Sequence, residues 1–122
     1  MAKTILIVDD SASLRQVVKI ALNNAGYDVV EAGDGKEALT KLDGTRYHLI
    51  VSDVNMPNMD GIALLKAIKQ HQTYKFTPVL MLTTEAGEAK KQEGQMAGAK
   101  AWIVKPFQPQ QLLMAVSKLI MP

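Results

Sequence analysis

Short apolar stretches recur along this chain and are separated by stretches with helical periodicity. Residues 5–8, 49–51, 79–82 and 103–104 are runs of Val, Ile, Leu and Met. Runs of this length without alternation are typical of strands that are buried on both faces, as in a parallel sheet. The pattern therefore predicts a parallel sheet, and right-handed crossovers would place helices on both of its faces.

Five strand–helix units are predicted in succession, which is an α/β class of fold. The strands are expected at residues 5–8, 27–31, 48–53, 78–82 and 101–104. The helices are expected at residues 14–25, from 34 to about 43, from 62 to about 72, at 88–96, and from 108 onward. Asp34 and Glu37 have the spacing of a capping box, and Pro109 suits a first helical position. Without repeats or linkers, residues 1–122 are expected to form one domain with no output domain.

The amino-acid composition excludes several classes of function. The chain of 122 residues is 48% hydrophobic, enough for one core, and it carries a net charge of only +2 with dispersed basic residues. This distribution argues against a nucleic-acid partner. Cysteine is absent, which excludes disulfides and thiolate metal sites. The longest apolar run, 112–116, is far too short to cross a membrane, and the N-terminus lacks a signal-peptide core. A cytoplasmic protein is expected.

Polar residues follow four of the apolar runs. Asp9 and Asp10 follow the first run, and Asp53, Thr83 and Lys105 close the other three. Because the carboxyl ends of parallel strands lie at one edge of a sheet, these side chains are expected to meet in one cleft. Clustered carboxylates raise a pKa or recruit a cation, and hard oxygen donors with room for water suit Mg²⁺.

An aspartate beside a metal ion is a competent nucleophile for a phosphoryl group, and this makes Asp53 the candidate acceptor. Phosphoryl transfer depends mainly on positioning and charge neutralisation, which Lys105 and Thr83 could supply. Each residue also has an ordinary structural interpretation when it is taken alone. Asp10 and Ser11 suit a helix cap, Asp53 a turn, Thr83 a cap, and Lys105 a solvated position. Only their joint placement at the strand ends favours a site.

Four segments carry a resemblance to a known family. Residues 5–11, 53–61, 83–86 and 102–107 resemble the receiver domain of two-component response regulators, and within that family the stand-alone chemotaxis regulators. The resemblance implies a flavodoxin-like fold with strand order 2-1-3-4-5. This order is taken from the family and does not follow from the periodicity of the chain.

The resemblance also implies roles for single residues. Asp53 corresponds to the phosphoacceptor. Mg²⁺ would be bound directly by Asp10, by Asp53 and by the backbone carbonyl of Asn55, and through water by Asp9. These assignments make Mg²⁺ the expected cofactor.

The remaining matched positions belong to the family's switch. Thr83 corresponds to the switch hydroxyl, and Lys105 to the phosphate-contacting lysine before a cis bond to Pro106. Trp102 stands at the aromatic switch position, where this family often has Tyr or Phe, and its indole has no phenol oxygen for a partner to contact. Thr84 and Glu85 are assigned a tuning role.

The function implied is that of a monomeric, non-enzymatic regulator. A histidine kinase of the CheA type would phosphorylate it, a protein target such as a flagellar motor switch protein would bind it, and a phosphatase would reset it. One alternative is a phosphorelay intermediate that passes its phosphoryl group to a histidine phosphotransfer protein. A remote alternative is a Mg²⁺-dependent phosphatase of the haloacid-dehalogenase type, which has a second Asp where this chain has Asn55.

Overall fold

A five-stranded parallel sheet forms the centre of the computed structural model, which describes residues 2–84 and 88–121, with only the backbone of 88–91. The strands are Thr4–Val8 (β1), Asp28–Ala32 (β2), Leu49–Asp53 (β3), Val79–Thr83 (β4) and Ala101–Val104 (β5). The helices are Ala12–Asn24 (α1), Gly35–Lys41 (α2), Gly61–Gln70 (α3), Glu88–Met96 (α4) and Pro109–Leu119 (α5). The strand order is β2-β1-β3-β4-β5, so the predicted flavodoxin-like arrangement is confirmed.

Each face of the sheet has its own apolar core. On one face, Ile7 packs in a cluster with Leu22 of α1 and Val116 of α5. On the other face, Val8 belongs to a cluster that includes Ile68 of α3. Side chains alternate between the two faces of a strand, so β1 contributes to both cores. The apolar runs lack polar alternation because neither face of the sheet is left to water.

Most predicted boundaries agree with the structure to within one or two residues. Helix α3 begins at Gly61, with Asp60 as its N-cap, and ends at Gln70 rather than near residue 72. Pro78 lies immediately before β4 and not within it, and its carbonyl accepts a hydrogen bond from the amide of Ile50. Because proline has no backbone N–H, Pro78 can accept a hydrogen bond from β3 but cannot donate one.

The predicted capping box at α2 is only half formed. The Asp34 carboxylate accepts a 2.8 Å hydrogen bond from the amide of Glu37, as the motif requires. The Glu37 carboxylate, however, accepts its hydrogen bond from the amide of Gly33 instead of that of Asp34. The two bonds still satisfy two amides at the start of the helix, which is the physical purpose of the motif.

Helix α5 begins at Pro109 as predicted, although Gln108 caps it without a side-chain hydrogen bond. Leu112 and Val116 of this helix are buried, whereas three other apolar residues near its end or within it are only partly buried: Leu113, Leu119 and Ile120. Among the residues that the structure describes, no helix is both long and apolar enough to cross a membrane.

Candidate functional site

Three carboxylates meet at the edge of the sheet where β1 and β3 end. Asp9 and Asp10 directly follow β1, and Asp53 is the last residue of the neighbouring strand β3. One carboxylate oxygen of each residue lies within 4.8 Å of the other two. Asp9 and Asp53 are buried, while Asp10 is exposed. The predicted convergence of the three carboxylates is observed, and the cluster offers hard oxygen donors to a cation arriving from solvent.

Burial and charge both act on the Asp53 carboxyl. Its Oδ1 accepts a 2.8 Å hydrogen bond from the amide of Val54 and lies 3.4 Å from Nζ of Lys105. Burial raises the pKa of Asp53 above its usual value, and the negative charge of Asp9 raises it further, while Lys105 acts in the opposite direction. A cation beside the cluster would therefore favour the charged form of Asp53.

Lys105 places an ammonium group between two of the carboxylates. Its Nζ lies 2.8 Å from Oδ2 of Asp9 and 3.4 Å from Oδ1 of Asp53. The Lys105 side chain is only 15% exposed, so solvent screens these ion pairs weakly. The peptide bond to Pro106 is cis, as the family resemblance implied. The position of the ammonium group puts positive charge next to any anionic group that is attached to Asp53.

Thr83 occupies the strand between Asp53 and Lys105. It is the last residue of β4, it is fully buried, and its carbonyl accepts a 2.7 Å hydrogen bond from the amide of Lys105. Its neighbour Leu82 stands opposite Asp53 in the strand register. Thr84, which was assigned a tuning role, is exposed. Its companion Glu85 lies outside the described residues.

Asn55 lies in the loop that leads from Asp53 to α3 and is exposed. The loop is short because α3 starts directly against β3: the amide of Gly61 donates a 2.8 Å hydrogen bond to the carbonyl of Val54. A Cβ at position 61 would lie 2.0 Å from the carbonyl oxygen of Asp53, so no other residue type fits here without displacement of the backbone. Gly61 thereby allows the start of α3 to pack against the backbone at the end of β3.

Trp102 is not a member of the carboxylate cluster but packs on the face of the sheet covered by α4. It stands opposite Met81 in the register of β4 and β5, and it is partly buried. A Cβ at Gly94 of α4 would lie 2.4 Å from Cζ3 of Trp102, so the indole ring packs directly on the glycine backbone. Met81 and Trp102 belong to the same apolar cluster. Since side chains two residues apart on a strand share a face, Thr83 also projects toward this face.

Arg15 is a residue of the site that was not predicted from the sequence. Its Nη1 donates a hydrogen bond to the backbone carbonyl of Asp9, and its Nε lies 3.2 Å from Oε1 of Glu31 on β2. Lys19 also pairs with Glu31, at 3.5 Å. The sequence contains no local signal for these contacts, because Glu31 comes near Arg15 only through the pairing of β1 with β2.

Comparison with known proteins agrees with this geometry. The family model of the response regulator receiver domain matches residues 5–117. The chain belongs to the response regulator receiver domain family. The chemotaxis protein CheY1 of Helicobacter pylori is 42% identical over 110 residues, which cover 88% of this chain and 89% of CheY1. The chemotaxis protein CheY of Pseudomonas aeruginosa is 40% identical over 116 residues, or 94% of each chain.

Solved structures show the same fold. The chemotaxis protein CheY4 of Vibrio cholerae superposes with a TM-score of 0.94 at 49% sequence identity, covering 98% of this chain and 100% of CheY4. A response regulator from Chloroflexus aurantiacus superposes with a TM-score of 0.92 at 36% identity, covering 98% of each chain. The resemblance inferred from four short segments therefore extends over nearly the whole chain.

Proposed function

We propose that this protein is a phosphorylation-controlled binding module in which Asp53 accepts a phosphoryl group from a histidine kinase. One observation carries the proposal: Asp53 is a buried carboxylate that lies within 4.8 Å of two others and 3.4 Å from the Lys105 ammonium group. In the transfer, an oxygen of Asp53 forms a bond to phosphorus while the bond from phosphorus to the imidazole nitrogen of the kinase breaks. The imidazole departs with the electron pair of that bond.

The residues around Asp53 are suited to this transfer. The amide of Val54 already donates to Oδ1, which fixes the orientation of the carboxylate. Lys105 would bring one positive charge to the transferred phosphoryl oxygens, and the Thr83 hydroxyl would donate a hydrogen bond to them. Phosphoryl transfer depends chiefly on such positioning and charge stabilisation, so no separate acid or base is needed. We infer that the protein turns over no other substrate and catalyses only its own phosphorylation and dephosphorylation.

The cluster also suits Mg²⁺. Among the three clustered carboxylates, Asp9 and Asp53 pair with the ammonium group of Lys105, and Asp10 has no ion pair within the part of the chain that the structure describes. Asp9, Asp10, Asp53 and the backbone carbonyl of Asn55 would hold the ion. When bound, Mg²⁺ would supply positive charge to the phosphoryl oxygens.

Replacement of Asp10 by Asn should weaken Mg²⁺ binding by about tenfold or more, and by a larger factor than Asp9→Asn. Asp10 is exposed and has no ion pair within the described residues, whereas Asp9 already accepts hydrogen bonds from Lys105 and from the amide of Ser11. Titration of Mg²⁺ by calorimetry, or by the fluorescence of the single Trp of the chain, measures both affinities. Identical titration curves for wild type and Asp10→Asn would remove Asp10 from the ligand set.

We propose that the partners are those of a chemotaxis pathway, because the relatives described above carry that name. The module would act as a monomer in the cytoplasm, with a CheA-type histidine kinase, a phosphatase, and a target such as a flagellar motor switch protein. The target surface would include the groove of about 360 Å³ between β5 and α5, which Trp102 borders together with Met114 and Lys118.

A pull-down from cell extract with and without beryllofluoride, a mimic of the bound phosphoryl group, tests this proposal. Capture of a motor switch protein only in the presence of beryllofluoride would support the chemotaxis function. Capture of a histidine phosphotransfer protein instead would favour the phosphorelay alternative. The Asp53→Asn variant is the control, because beryllofluoride needs the aspartate oxygen to form its adduct.

A further inference from the structure

Arg15 connects the acidic cluster to the edge strand of the sheet. From its place early in α1, its guanidinium group donates to the carbonyl of Asp9 and pairs with Glu31 at 3.2 Å. The carbonyl of Asp9 belongs to the peptide group that joins Asp9 to Asp10. The guanidinium therefore holds the backbone from which both carboxylates project.

The ion pair between Arg15 and Glu31 adds too little to the stability of the fold to explain why these residues are present. The side chains of Arg15 and Glu31 are 20% and 31% exposed, and ion pairs near the surface contribute little to stability. The geometry, in contrast, requires arginine: its planar fork can donate to a carbonyl through one nitrogen and to a carboxylate through another. The ammonium group of a lysine has no such fixed fork.

We infer that Arg15 is a positioning residue for cation binding, with Glu31 as its anchor. By fixing the peptide group between Asp9 and Asp10, Arg15 keeps both carboxylates directed at the cluster before an ion arrives. Groups that orient the ligands of a metal without touching it change its affinity by about 10- to 100-fold. This inference rests on the cation site proposed above.

A purely electrostatic role for Arg15 leads to the opposite expectation. A positive charge near three carboxylates repels a second cation, so its removal should strengthen Mg²⁺ binding. If Arg15 acts by positioning, its removal should weaken binding instead. The sign of the change in affinity therefore distinguishes the two roles.

The test compares Mg²⁺ affinity by calorimetry for wild type, Arg15→Met, Arg15→Lys and the control Lys19→Met. Lys19 pairs with the same glutamate at 3.5 Å but makes no hydrogen bond to Asp9 among the described residues, so its variant removes a nearby charge without releasing the Asp9 carbonyl. We expect affinity to fall by about tenfold in Arg15→Met, by a smaller factor in Arg15→Lys, and to stay within about twofold of wild type in Lys19→Met.

Thermal unfolding of each variant without Mg²⁺ separates positioning from folding. A merely structural role for Arg15 would lower the unfolding temperature and leave the affinity of the folded protein unchanged, and that result would overturn the inference. Unchanged or tighter binding by Arg15→Met would overturn it as well. If Arg15→Met folds poorly, Arg15→Lys takes its place in the test, because it keeps the positive charge. Weaker Mg²⁺ binding by Arg15→Lys than by wild type would support the inference, and unchanged or tighter binding would overturn it. Absence of Mg²⁺ binding in wild type would instead refute the cation site itself.

Discussion

Replacement of Asp53 by Asn is expected to abolish Mg²⁺-dependent labelling by a small phosphodonor such as acetyl phosphate. The amide of Asn has no anionic oxygen to attack phosphorus, and no other described carboxylate at the site is both buried and held by Val54 and Lys105 as Asp53 is. Intact-protein mass spectrometry after incubation with the donor measures the labelled fraction. Asp60→Asn is the matched control, because Asp60 caps α3 near the same loop and Asn is an equally good cap.

The same variant should be more stable than wild type at neutral pH without Mg²⁺. A carboxyl whose pKa is raised by folding binds its proton more tightly in the native state, so its ionisation costs stability as the pH rises through the two pKa values. The neutral amide in the Asp53→Asn variant avoids this cost, so the free energy of unfolding of the variant should exceed that of wild type, as denaturant unfolding at neutral pH would measure. Loss of labelling in a more stable protein cannot be ascribed to misfolding. Labelling at the wild-type rate would place the phosphoryl group on another residue.

Replacement of Thr83 by Ala should leave phosphorylation of Asp53 largely intact while it reduces the gain in target affinity on activation. A ligand shifts a conformational equilibrium only through its differential interaction with the two states. The Thr83 hydroxyl is the group proposed to interact with the phosphoryl group in one state only. Couplings of this kind are about 1–3 kcal/mol, so the gain in affinity should fall by roughly 5- to 150-fold.

The proposed coupling would run through the face of the sheet that Thr83 shares with Met81 and Trp102. Thr83 is fully buried at the end of β4, and by strand alternation it projects toward the face on which Met81 and Trp102 pack. Trp102 in turn lies against the backbone of Gly94, so it contacts α4 directly. If Trp102 responds to a shift of the Thr83 side chain, as we propose, movement of its ring would alter the packing between β5 and α4.

Target binding to wild type and Thr83→Ala, each saturated with beryllofluoride, measures the effect independently of the phosphoryl lifetime. Thr73→Ala is the control, because Thr73 is exposed and lies in the segment before β4, away from the carboxyl end of that strand. We expect the control to keep the wild-type gain in affinity. Equal gains for Thr83→Ala and wild type would show that the switch runs through another element.

Several features of the molecule follow from the sequence alone. The apolar runs could be assigned to strands because a strand covered on both faces has no polar alternation. The buried part of β1 is entirely apolar, and β4 is apolar up to Leu82 before it ends in Thr83. Asp34 and Pro109 marked the starts of two helices because capping depends on local backbone chemistry. The convergence of Asp9, Asp53 and Lys105 was predictable for a similar reason, since parallel strands share one carboxyl edge.

The sequence did not determine the contacts between residues that are distant in the chain, because the geometry of these contacts depends on tertiary packing. Arg15 reaches Glu31 only because β2 pairs with β1, and the packing of Trp102 on Gly94 depends on how α4 lies against β5. Even the strand order came from resemblance to a family. Local periodicity reports which faces are buried, whereas the partners of a side chain are decided by which elements lie beside it once the sheet has formed.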